Sequence, residues 1–176
     1  MTTFTAKELQ RATAHHEAGH AVVTLASRYF QLPDPALKLE PEPGKTAQSG
    51  TRPRVPGMPV TKEAALEHIA VALAGREAEK IFADITQAEG RRISLHADSA
   101  EFDLNWAAAG LRHWQAEHLR ADLERQAREC IEANIDAWKE IAQLVMDSFG
   151  VKPELGKAEV EALPAVQKML LNKPPL

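Results

Sequence analysis

The stretch HHEAGHAVV (residues 15–23) sets three histidines and a glutamate into a run that otherwise reads as a buried helix rich in alanine and valine. Ala14, Ala18, Ala21, Val22 and Leu25 recur at three- and four-residue steps, so one face is apolar and must be covered. Residues i and i+4 of a helix lie one above the other, so His16 and His20 can present their ring nitrogens to one metal ion. Glu17, beside the first of them, would not bind the ion. It would face the metal's water, taking its proton and passing it to a leaving amine. This H-E-x-x-H spacing points to peptide hydrolysis. Polar groups on a buried apolar helix carry a desolvation penalty unless something satisfies them, and a shared ion satisfies both imidazoles. An open catalytic zinc site takes three protein ligands plus water, so a third donor is required from elsewhere.

The rest of the chain frames that helix. Of 176 residues, 44% are hydrophobic and 26% charged, the balance of a globular protein with a real core. The formal charge of -4, with both signs interspersed, gives no footprint for nucleic acid or an anionic membrane surface. Cys130 is the sole cysteine, which removes an internal disulfide framework and any thiolate-pair zinc site. The N-terminal residues lack the basic start and apolar core of a signal peptide, and no apolar run is long enough to span a bilayer. The expected location is cytoplasmic.

Along the chain, the first helix is expected over residues 5–29, with Thr5 and Glu8 forming a capping box. Residues 31–60 hold seven of the eleven prolines, which excludes a helix. Within them ALKLE (residues 36–40) alternates as a short strand, and a weak second strand falls near residues 46–51. The flanking prolines mark the first as an edge strand. Helical periodicity returns after the cap Thr61, with Leu66, Ile69, Leu73, Ala78, Ile81 and Phe82 on one stripe. A polar gap (residues 86–99) precedes a helix starting near Ser99. Residues 119–149 read as one long amphipathic helix stopped by Gly150, and residues 157–163 as a short one. The fold class is therefore mainly α, with a small proline-flanked edge strand or β-hairpin between the first and second long helices. A single domain over residues 1–170 is expected, with a frayed tail over residues 171–176.

HEAGHAVV (residues 16–23), followed by AGREAEKIF (residues 74–82), resembles the zinc peptidase domain of the FtsH family of ATP-dependent proteases. ARECIEANIDAWKEIAQLV (residues 127–145) resembles the long C-terminal helix of that domain, so the likeness runs over nearly the whole chain. In that family the third zinc ligand is an aspartate early in a later helix, followed by an aliphatic residue, two variable residues and alanine. FDLNWAAA (residues 102–109) supplies Asp103, Leu104 and Ala107 in that arrangement. The resemblance thus implies Zn2+ held by His16, His20 and Asp103. Asp98, Glu101 and His96 stand as alternatives, because Ala100, Glu101 and Phe102 replace the family's small and polar residues before the aspartate. Glu79 matches a family glutamate near the metal helix and either orients a ligand imidazole or lies on a solvated face. His15 sits about 100° around the helix from His16 and drops out of the metal set. His68, His113 and His118 read as surface residues.

The family joins its peptidase to a membrane anchor and an ATPase. No G-x-x-x-x-G-K-[ST] phosphate loop occurs here, and the nearest string, EPGKTAQSG (residues 42–50), lacks its second glycine. The expected function is a zinc-dependent endopeptidase working without ATP on a peptide or an unfolded protein. A homo-oligomer and a separate unfoldase or adaptor are possible partners, and residues 37–40 can hold substrate by strand addition. The alternative is a non-catalytic peptidase-like module that binds a partner protein with or without structural zinc. A zinc hydrolase acting on another carbonyl is a third reading.

Overall fold

The computed structural model describes residues 6–39, 47–88 and 97–172. Helix α1 (Ala6–Ala26) is followed by four short strands, β1 (Phe30–Gln31), β2 (Leu37–Leu39), β3 (Ala47–Ser49) and β4 (Arg52–Pro53). Helices α2 (Lys62–Ala88), α3 (Ala97–His113), α4 (Arg120–Ala133) and α5 (Ile135–Ser148) come next. Strand β5 (Glu154–Leu155), α6 (Lys157–Glu161) and α7 (Pro164–Leu171) close the described chain. The fold is mainly helical with small antiparallel sheets, as the periodicities require, and a β2–β3 hairpin lies between the first two long helices. No helix among the described residues is long and apolar enough to cross a membrane.

Helix α1 is buried on nearly every side from Ala12 to Leu25, because α2 covers one flank, α5 another and β3 a third. Its small residues let α2 come close. A Cβ on Gly19 would fall 2.5 Å from the Ala78 Cβ and 2.8 Å from the Ala74 carbonyl oxygen. The two helices run antiparallel, since His16 meets Glu79, His20 meets Val71 and Ser27 meets Glu67. At the far end of the seam, Glu67 accepts from the Ser27 hydroxyl and from the Arg28 backbone and guanidinium, fixing where α1 gives way to β1. Thr61 caps α2 by accepting the Ala64 N–H, as its position suggests. The proposed cap at Thr5 lies outside the described residues.

Three expectations are corrected. The strand read from ALKLE is the centre of a three-stranded sheet, ordered β3-β2-β5, and β3, next to α1, has no second strand partner among the described residues. Pro33 and Pro35 precede the ladder and cost it no donor: the Ala36 and Leu39 amides donate to the Leu155 and Pro153 carbonyls. Pro41 and Pro43 lie outside the described residues. The single long helix over residues 119–149 is broken at Asn134, whose φ of -121° and ψ of 36° leave the helical region. The Asn134 side-chain amide donates to the Cys130 carbonyl at the end of α4, while its backbone carbonyl accepts the Trp138 N–H and opens α5. A straight rod could not do what the two halves do, because α4 packs on α2 and α5 on α1. Gly150 does stand at the stop, with a φ of +74° that favours glycine. The third is α7, over residues 164–171 to which no element was assigned; Pro164 starts it, and it lasts to Leu171. Residues 173–176 lie outside the described part.

Candidate metal centre

Helix α1 projects His16 and His20 against α2, and each ring is held by its Nδ1 side. His16 Nδ1–H donates to Glu79 Oε1 at 2.8 Å, and His20 Nδ1–H donates to the Val71 carbonyl at 2.7 Å. A carboxylate and a carbonyl only accept, so both rings keep a proton on Nδ1, and Nε2 is the nitrogen each can turn to a metal. Glu79 is itself buried and receives Arg76 Nη1 at 3.0 Å on its other oxygen. The solvated alternative for Glu79 does not apply.

The two Nε2 atoms stand 3.0 Å apart, and Asp103 Oδ2 lies 3.2 Å from each. Three electron-rich atoms thus converge on one point. Metal–nitrogen bonds of about 2.0–2.1 Å in tetrahedral geometry separate neighbouring donors by about 3.3 Å, so the triangle has the size of a metal's ligand set. The backbone leaves room for an ion there: a Cβ on Gly75 would stand 2.5 Å from both Nε2 atoms. Among the described residues, His16, His20 and Asp103 are the group able to hold a metal. In the metal-free state a proton does part of that work. Burial opposes the charged form of His16, but hydrogen bonds to Asp103 and Glu79 and the field of Glu17 prevail, raising its pKa to about 10. Burial likewise opposes ionised Asp103, yet its bonds to His16 and His20 hold it well below the usual carboxylate range.

Asp103 sits in the second turn of α3, and it is the residue brought to the histidines. Glu101, one of the alternatives, is exposed. His96 and the side chain of Asp98 fall outside what is described. Glu17 is 7% exposed and makes no bond to the three donors; its Oε2 accepts the Ser49 N–H at 2.6 Å. Along β3 the Gly50 amide crosses to Ala36 of the hairpin partner, whereas the neighbouring Ser49 amide turns outward to Glu17. The carboxylate therefore stands at the open edge of β3, in a cavity of about 550 Å³ that Glu17, His20 and Asp103 share.

The remaining histidines divide. His15 faces away from the metal point, stacked on Phe82 at 3.9 Å and edge-on to Trp138 at 4.8 Å, with Nδ1–H donating to the Arg11 carbonyl. Burial lowers its pKa to about 4, helped by the nearby Arg11 and Lys139 charges against the pull of that hydrogen bond. His113 and His118 are exposed, as expected. His68 is a correction: it lies half-buried in the cavity wall between Phe30 and Trp106, with ring centroids 4.7 and 4.6 Å away. Its i+7 spacing to Gly75 puts it two turns from the glycine on the same helix, a relation that required knowing which face of α2 meets the metal.

The chain matches no protein-family model and no curated protein.

Proposed function

We propose that the chain is a zinc-dependent endopeptidase, a reading carried by one observation: two imidazole Nε2 atoms and a carboxylate oxygen converge beside a buried glutamate that is not among them. Two imidazoles and one carboxylate suit zinc, and three protein donors leave a fourth position for water. Zinc held there would lower the pKa of a bound water to about 7 and polarise a peptide carbonyl.

The chain's own groups supply the rest. Glu79 and the Val71 carbonyl keep both imidazoles in the tautomer that offers Nε2. Glu17 is the general base that accepts the water's proton and then delivers it to the leaving nitrogen. The Ser49 N–H bonded to its Oε2 leaves Oε1 for that transfer and fixes the carboxylate's orientation. An extended peptide adding to the open side of β3 would carry its carbonyl past Glu17 toward the metal point, so the substrate class is a flexible or unfolded polypeptide. Strand addition belongs to β3, not to residues 37–40. The FtsH-type peptidase resemblance supports this assignment.

The reading predicts close to one zinc per chain after mild purification. Cleavage of a denatured protein should stop with a chelator and return with added zinc. Absence of both bound metal and cleavage would favour the protein-binding module instead.

A further inference from the structure

The cavity beside the metal point has two unlike walls. From α1 and β3 come Thr13, Thr24, Ser49 and the following Thr51, with the Thr24 and Thr51 hydroxyls bonded to each other at 2.8 Å. On the helix side stand Val71 and Ala72 of α2 and Phe102 and Trp106 of α3, with His68 behind. Phe102 is 73% exposed and Trp106 40% exposed, large apolar side chains left open to water one residue before and three after the ligand Asp103. Three and four residues are the steps that bring helical side chains onto one face, so Trp106 overhangs the same opening as Asp103. His68 braces it: the ring meets Trp106 edge-on at an interplanar angle of 61° and packs on Phe30 from the other side. Burial lowers the pKa of His68, so the brace is a neutral ring. His68 lies outside the stretches that carry the family resemblance, and Phe102 and Trp106, though within FDLNWAAA, are not among its matching residues.

We infer that Trp106, Phe102 and the His68 ring form a specificity subsite that receives a large apolar or aromatic side chain next to the bond being cut. This rests on the peptidase reading for the word "cut", but the binding preference is independent of turnover. An extended peptide held by its backbone along β3 turns alternate side chains to opposite faces, and Val71, Ala72, Phe102 and Trp106 line the cavity that one set can enter. Glu17 and Asp103 in the same cavity disfavour an acidic side chain there. Burial of an aromatic ring against Trp106 and Phe102 removes apolar surface from water on both partners, enough for about a tenfold gain in affinity over glycine.

The test uses two fluorescent peptides identical except for a central Phe or Gly, and their binding to zinc-loaded Glu17→Gln protein, read by anisotropy. The Phe peptide should bind about tenfold tighter. Trp106→Ala should reduce that ratio below about threefold with zinc content and circular dichroism unchanged, and Trp106→Phe should restore most of it. Equal binding of the two peptides, or a ratio indifferent to Trp106→Ala, overturns the subsite. Products of wild-type digestion of a denatured protein, sequenced by mass spectrometry, separate the two ideas. Cleavage without apolar preference at either flanking position leaves the peptidase and removes the subsite. Trp106-dependent Phe binding with no cleavage by any zinc-loaded wild-type sample leaves the subsite and removes the peptidase.

Discussion

His16 of α1 donates its Nδ1 proton to Glu79 of α2, 63 residues away, at 2.8 Å, and this bond decides which nitrogen the ring turns toward the metal point. It spans the antiparallel seam where Gly19 and Gly75 let the two helices close up. Packing and chemistry are thereby joined: the approach that buries α1 is the approach that sets the tautomer. Replacing Glu79 with Gln should weaken metal affinity by about 10- to 100-fold, measured by competition with a chromophoric chelator. Unchanged affinity would mean that the bond does not orient the ligand.

Gly75 gives a sharper steric prediction. A methyl group there would stand 2.5 Å from His16 Cε1 and from both Nε2 atoms. Gly75→Ala should therefore abolish stoichiometric metal binding, read by elemental mass spectrometry, while far-ultraviolet circular dichroism still reports a helical protein. Full metal loading in that variant would show that the ion, if any, binds elsewhere.

The metal-free protein should respond to pH on two sides. His16 has a folded pKa of about 10, above its unfolded value of 6.5, so its contribution to stability is complete below pH 6.5 and is lost as pH rises toward 10. His15 has a folded pKa of about 4, below 6.5, so its contribution is present above pH 6.5 and lost as pH falls toward 4. Urea midpoints of metal-free protein should decline in both directions from near neutrality. A metal ion displaces the His16 proton, so metal affinity should rise with pH over the alkaline range. A metal-free midpoint that climbs steadily between pH 7 and 10 would contradict this assignment.

Trp138 of α5 is fully buried behind the metal helix and donates Nε1–H to the His15 carbonyl at 2.9 Å. Trp138→Ala should cost about 3–5 kcal/mol in chemical unfolding. Trp138→Phe keeps most of the ring volume and loses the hydrogen bond, leaving a buried carbonyl underused, so its cost should be about 1–3 kcal/mol. Equal costs for the two variants would show that the ring's volume is not what holds α5 to α1.

Local patterns made much of this legible. The apolar steps of α1 and α2, the Thr61 cap, the Gly150 stop and the i, i+4 histidines all act over one or two turns, and the structure reproduces them. Asp103 was reachable only through family resemblance, since nothing local distinguishes it from other acids near the start of α3. What stayed hidden depends on distant partners. β2 is central because a two-residue strand more than a hundred positions later pairs with it, too short to leave a period. The break at Asn134 leaves the apolar stripe of residues 123–145 in phase, so periodicity passes over it. The backbone carbonyl of Val71, which orients His20, has no sequence signature at all.

The most direct test of the account is the rate at which zinc-loaded Glu17→Gln protein cleaves a denatured substrate, compared with zinc-loaded wild type, with metal content measured on the same samples. Loss of the general base should slow cleavage by about 100-fold or more while one zinc per chain is retained. Cleavage at the wild-type rate with zinc in place would contradict the assignment of Glu17, and with it the mechanism.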